Sequence, residues 1–136
     1  YNIYIYINMI TRNIVSRINN SKLMNFELFN KNKIIGTSNI MVDHIDNNSA
    51  TINTLCIGNQ YRNMGHGSTL LQGIEKCVKN EYNIKNVNLL AWQPRGSSEV
   101  FDFFKKNGYI EIENDDIDIY DDYDTIYDLI KFNKKI

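Results

Sequence analysis

A chain of 136 residues with 43% hydrophobic and 23% charged side chains, one Pro and seven Gly, excludes disorder and collagen-like repeats and predicts one compact domain over residues 1–136. The formal net charge of −1 gives no global attraction to nucleic acid or to an anionic bilayer, so neither is an expected partner. Cys56 and Cys77 are the only cysteines, and no CxxC or Cys/His spacing surrounds them, so neither a metal nor a disulfide framework is expected.

In chain order, Ile3, Ile5 and Ile7 alternate with Tyr4 and Tyr6, which predicts a first strand. The opening has no basic n-region, and no apolar run approaches the ~20 residues of a membrane helix. A cytoplasmic or nuclear protein, not a secreted one, is therefore expected. After Thr11 as an N-cap, Ile14, Val15 and Ile18 fall at helical spacing and predict a short helix. Phe26 to Asn30 and Ile34 to Val42 predict two strands joined by a hairpin at Lys31 and Asn32. Asp46-Asn47-Asn48-Ser49 predicts a turn. Thr51 to Ile57 predicts a strand with Leu55 and Ile57 on one face and Ile52 and Cys56 on the other.

The period then changes. Leu70, Leu71, Ile74, Cys77 and Val78 form the apolar stripe of a helix packed on a sheet. Val87 to Trp92 predicts a buried strand, ended by Pro94 and Gly96. Ser97 or Ser98 then caps a helix that presents Val100, Phe101 and Phe104 and stops at Asn107-Gly108. Tyr109 to Ile112 and Ile126 to Phe132 predict closing strands. The order is that of an α+β domain with a mixed sheet.

The chemistry is concentrated between the fourth predicted strand and the strong helix, in Gln60-Tyr61-Arg62-Asn63-Met64-Gly65-His66-Gly67-Ser68. A Gly-rich turn entering a helix aims backbone N–H groups and the positive end of the helix dipole at one point, which suits a pyrophosphate. Asn63 tolerates the left-handed conformation such turns need. A plain strand-to-helix turn, with Gly for geometry alone, is the alternative. The Walker loop is excluded because Ser68, not Lys, follows Gly67, and the dinucleotide fingerprint because Leu70 stands where its third Gly or Ala belongs.

Arg62-Asn63-Met64-Gly65-His66-Gly67 resembles the Arg/Gln-x-x-Gly-x-Gly/Ala signature of the GNAT superfamily of N-acetyltransferases. Phe101 to Tyr109 resembles the second family signature, a helix ending in aromatic-x-x-x-Gly-aromatic. The likeness runs from about Ile34 to Phe132. It implies a mixed, mostly antiparallel sheet of about six to seven strands flanked by helices, and acetyl-CoA as acyl donor with no metal. It also implies that backbone N–H groups of Arg62, Asn63, Met64, Gly65, His66 and Gly67, with Ser68 nearby, hold the CoA pyrophosphate. Leu55, Cys56 and Ile57 would pair with the pantetheine arm, in a wedge between this strand and the Val87 to Trp92 strand. An N–H near Ile57 would polarise the thioester carbonyl. Gly67 is expected to be small because a side chain there would fill the pyrophosphate's space.

Two positions depart from the pattern. Many members carry, four residues before the second signature's Gly, a Tyr that protonates the departing thiolate; here it is Phe104, which has no proton to give. Ser97 stands where an Asn often bonds the cofactor. General-acid help contributes ~10² to 10⁴-fold, but a thiol of pKa about 8.5 already leaves readily, so the loss falls at the low end. Tyr109, Tyr120, Tyr123 and Tyr127 are substitutes by type, and His44, Asp46 and Glu111 are candidate bases by location alone. Cys56 reads as a small buried hydrophobe rather than a nucleophile, His66 as a backbone donor, and Trp92 as core or as a wall of the acceptor pocket.

Glu111, Glu113, Asp115, Asp116, Asp118, Asp121, Asp122, Asp124 and Asp128 make the Glu111 to Asp128 segment acidic without one Lys or Arg. That field predicts a cationic acceptor: a lysine, a peptide N-terminus or a polyamine. The alternatives are a catalytically silent acetyl-CoA-sensing module of the same fold and an amino-sugar-phosphate N-acetyltransferase. The acceptor is a small molecule or a peptide, and a homodimer is left open.

Overall fold

The computed structural model describes residues 9–18, 21–43, 49–113, 119–120 and 125–136. The strand expected at Ile3 to Ile7, the turn at Asp46 to Asn48, His44, Tyr123, and Asp115, Asp116, Asp118, Asp121, Asp122 and Asp124 lie outside them.

Among the described residues one sheet of eight strands carries two helices. Its strands are β1 (Met9–Ile18), β2 (Ser21–Asn30), β3 (Lys33–Asp43), β4 (Ser49–Ile57), β5 (Asn86–Pro94), β6 (Ile110–Glu113), the two-residue β7 (Ile119–Tyr120) and β8 (Ile126–Lys135). The helices are α1 (His66–Tyr82) and α2 (Glu99–Lys106). The sheet order is β1-β2-β3-β4-β5-β8-β6, with β7 on β8. All pairs are antiparallel except β4 with β5. This is the mixed, mostly antiparallel α+β architecture expected, with β1 and β7 beyond the strands expected.

The short helix expected after Thr11 is instead strand β1, paired with β2 from Met9↔Phe29 to Ile18↔Ser21. The register skips Val15, because Ile14 faces Met24 and Ser16 faces Leu23. A bulge at that point interrupts the period of two and leaves a spacing that imitates a helix, while Ile, Val and Thr themselves favour a strand.

A second bulge positions the site. Asn39 faces Thr54 and Ile40 faces Ile52, so Asn53 is the extra residue of β4. The Ser38 hydroxyl donates to the Thr54 carbonyl at 2.5 Å, and the Asn39 N–H donates to Thr54 Oγ1 at 3.0 Å. Ile52 therefore faces the core together with Leu55 and Ile57, which pack against it, while Cys56 is exposed. This corrects the alternation expected across Thr51 to Ile57, which placed Ile52 opposite Leu55: the extra residue shifts the period by one.

One face of the sheet is closed by both helices. Leu70, Leu71, Ile74 and Val78 of α1 are fully buried with Met24, Phe26 and Leu28 of β2 and Ile40 and Val42 of β3, each large side chain contributing about 1.5–3 kcal/mol by burial. Phe101 and Phe104 of α2 pack on Phe132 of β8 with ring centroids 6.0 and 5.8 Å apart. Glu75 of α1 is buried on this face as well, where it accepts from the Tyr109 hydroxyl at 2.9 Å and from Lys134 Nζ at 2.9 Å. The other face is uncovered by any helix among the described residues, and Leu90, Trp92 and Met41 stand exposed.

Candidate active site

The parallel β4–β5 ladder runs only from Ser49↔Asn86 to Ile52↔Leu89. Beyond it both strands continue unpaired with each other, β4 to Ile57 and β5 to Pro94. The split fixes where free backbone lies. The Gly58 N–H donates to the Ile35 carbonyl at 2.9 Å, and Gly36 faces Ile57. Bonded and non-bonded pairs alternate in an antiparallel ladder, so Gly36/Ile57 and Ser38/Leu55 are the non-bonded ones. The N–H and C=O groups of Leu55 and Ile57 thus point away from β3, to the side from which β5 has diverged. An open strand edge of this kind takes an extended amide-bearing ligand.

From Ile57 the chain turns through a 3₁₀ turn at Asn59–Tyr61. Arg62 Nε donates back to the Ile57 carbonyl at 3.0 Å, tying the loop to the strand end. Asn63 is left-handed at φ 61° as expected, and Gly65 stands at the N-terminal boundary of α1 at φ 82°, ψ 3°. An added Cβ at Gly65 meets nothing within 4 Å, so glycine is required there by conformation. Having no side chain, Gly65 cannot cap the helix. The first intrahelical N–H bond is that of Thr69 to the Gly65 carbonyl at 3.1 Å. The N–H groups of His66, Gly67 and Ser68 precede it and are the unsatisfied donors of the helix start, where the dipole is positive.

Gly67 has a different requirement. A Cβ there would lie 3.1 and 3.2 Å from the Phe103 ring. Packing against α2 is thus a reason for a small residue at this position beside the space expected for a pyrophosphate.

Strand end, loop and α2 enclose a cleft of about 610 Å³. Leu55, Cys56, Ile57, Arg62, Asn63, Gly65, His66, Gly67, Ser68 and Phe104 of the expected residues line it, whereas Met64, at 64% exposure, and Ser97 do not. Cys56 is exposed in this lining, not the buried small hydrophobe expected, because its side chain takes the open face. Phe104 is buried in a ring cluster with Phe103, Tyr109 and Phe132. Tyr109 donates its hydroxyl to Glu75 and lies outside the lining. Burial, and then the Glu75 charge and hydrogen bond, hold its pKa far above the ordinary phenol value. Glu111 is exposed on β6, also outside the lining. A second hollow of about 400 Å³, bordered by Lys79, Lys85 and Lys135, lies at the far end of α1 and shares no residue with the loop.

Sequence reasoning placed Tyr61 in the loop without a role and missed Glu99, Val100, Phe103 and Lys106 of the lining. Glu99, Phe103 and Lys106 recur at i, i+4 and i+7 on α2, a helical spacing that could have revealed them. It also missed Gln93. Ser98 occupies the N-cap of α2 but makes no side-chain cap bond. Gln93 of β5 caps the helix instead, its Oε1 accepting from the N–H groups of Val100 at 3.1 Å and Phe101 at 3.2 Å while Nε2 donates to the Ser97 carbonyl. The expected cap from Ser97 or Ser98 is therefore replaced by a buried amide.

A strand edge opened by a split parallel pair, next to an uncapped glycine-entered helix start, is suited to an extended ligand that carries phosphate. The model of the acetyltransferase (GNAT) family matches residues 8–109, and the chain belongs to that family. It is an acetyl-CoA-dependent acetyltransferase. None of the curated proteins matches it by sequence. Among solved structures it is similar to the ribosomal-protein-S18-alanine N-acetyltransferase of Escherichia coli (TM-score 0.73, 14% identity, covering 94% of each chain). It is also similar to a GNAT family acetyltransferase of Elizabethkingia anophelis with acetyl-CoA bound (TM-score 0.62, 16% identity, 93% of this chain and 98% of that one). A third is the dodecameric spermidine N-acetyltransferase of Vibrio cholerae (TM-score 0.66, 14% identity, 86% and 66%). Among the described residues no group of His, Cys, Asp or Glu is arranged to hold a metal, and no helix is long and apolar enough to cross a membrane.

Proposed function

We propose that the chain transfers the acetyl group of acetyl-CoA to a cationic primary amine by direct attack within a ternary complex. The observation that carries this reading is the meeting, in one cleft, of two free backbone edges: the N–H groups of His66 to Ser68, and the outward-facing groups of Leu55 with the Ile57 N–H. The first edge, with the dipole behind it, suits the pyrophosphate. The second suits the amides of the pantetheine arm and brings the Ile57 N–H to the thioester carbonyl, where negative charge grows as the amine nitrogen attacks. Arg62 already occupies the Ile57 carbonyl, which leaves the Ile57 N–H as that residue's free polar group toward the split.

The attacking nitrogen, deprotonated to the free amine, forms the C–N bond, its remaining extra proton passes to water, and the C–S bond breaks so that CoA leaves as its thiolate. Phe104 gives it no proton, and its closely packed rings keep that wall of the cleft apolar. The acidic Glu111 to Asp128 stretch of the sequence supports a cationic acceptor, as does the open face beside the split. The similar spermidine N-acetyltransferase of Vibrio cholerae is named for such a substrate.

The test is mass spectrometry of polyamines, basic peptides and an amino-sugar phosphate, each incubated with the protein and acetyl-CoA. The expected outcome is a single acetyl on the cationic amines. Efficient acetylation of the amino-sugar phosphate, with basic amines untouched, overturns the acceptor class.

A further inference from the structure

Trp92 is the one tryptophan of the chain. It stands 55% exposed on a strand whose alternate residues, Val87, Leu89, Ala91 and Gln93, are all buried. A large aromatic left in water is informative where an exposed small residue is not. Its place in the split explains it. Ile52 and Leu89 are the last residues paired across β4 and β5. Leaving out the bulged Asn53, Cys56 and Trp92 are each three steps beyond that pair, about 10 Å along the strands. Both take the face away from the helices. The acyl site read above lies between the edges that these two residues flank, and the donor's loop is on the helix side. An acceptor must come from the open side, past Trp92.

The indole does not stand alone. Tyr127 of β8 packs against it with centroids 5.3 Å apart and planes tilted by 52°, and strand pairing of Trp92 with Leu129 and of Pro94 with Tyr127 holds both rings on one rigid surface. Asp128, next to Tyr127 on β8, accepts from Arg95 Nε at 3.0 Å, so its charge is partnered. A ring face draws a cation, Trp most strongly.

We infer that the Trp92–Tyr127 ring pair is the acceptor platform of this enzyme, selecting amines that carry an ammonium group. The inference rests on the proposed transfer reaction for its substrate, but the platform is readable without turnover, because Trp92 is the only tryptophan and its emission reports on this surface alone. With CoA present, 1,4-diaminobutane is expected to change Trp92 emission saturably, and n-butanol, of the same length without charge, is not. In steady-state assays Trp92→Leu should raise KM for 1,4-diaminobutane on the order of tenfold, with KM for acetyl-CoA moving less than twofold and Trp92→Phe falling between. Equal emission changes with n-butanol overturn the cation selectivity. An unchanged diamine KM in Trp92→Leu, or an equal rise in both KM values, overturns the platform. A saturable emission change in a wild-type protein that transfers no acetyl group supports the platform and sinks the transfer reading, so the two failures are told apart.

Discussion

The two faces of the sheet treat polar and apolar groups in opposite ways. On the helix-covered face even the buried polar side chains are fully engaged: Glu75 takes bonds from Tyr109 and Lys134, and Gln93 holds the start of α2. On the open face Met41, Leu90 and Trp92 are left in water. Stability therefore resides on the first face, and the second is available for recognition. The cleft lies where they meet, its floor made by core-facing Leu55 and Ile57 and its rim by Cys56.

The sharpest way to break this comparison is to remove one group from each face. Glu75→Ala strands the Tyr109 hydroxyl and the partly buried Lys134 ammonium and should cost about 3–5 kcal/mol. Trp92→Leu should stay within about 0.5 kcal/mol of the parent. Urea unfolding of both variants checks the contrast, and comparable losses would show that the open face carries stability too.

A smaller effect sharpens the view of the cleft wall. Gly67→Ala forces a Cβ against Phe103 and should cost about 1–3 kcal/mol by overpacking. Trimming the ring with Phe103→Leu should return part of that loss, giving a double-mutant coupling of about 1 kcal/mol. Strict additivity in the unfolding data would mean that the ring moves aside at no cost and that glycine is not required by packing.

How much of this was legible in the sequence differs element by element. The loop from Arg62 to Ser68 and helix α1 could be read because Gly spacing and an apolar stripe are local signals that tertiary structure reinforced. β1 was misread as a helix because the Val15 bulge hides a period of two. The faces of β4 were misassigned past Asn53 for the same reason. Gln93 gave no local signal as a cap, since a buried amide in a strand acquires that role only when a helix from elsewhere presents its N–H groups. The exposure of Cys56 and Trp92 was equally illegible. A strand with apolar residues on both sides implies two covered faces, and only the assembled sheet shows one of them bare.

The most direct test of the central claim, direct acetyl transfer from donor to amine within the split, is an initial-rate study. Acetyl-CoA and a basic amine are varied against each other for the parent and for Cys56→Ala. Cys56 is the exposed thiol of the cleft and the natural site for a covalent intermediate. Intersecting reciprocal plots, and at least half of the parent kcat in Cys56→Ala, are the expected result. Parallel lines with an acetylated Cys56 in the mass spectrum, or loss of activity in the folded variant, would contradict it.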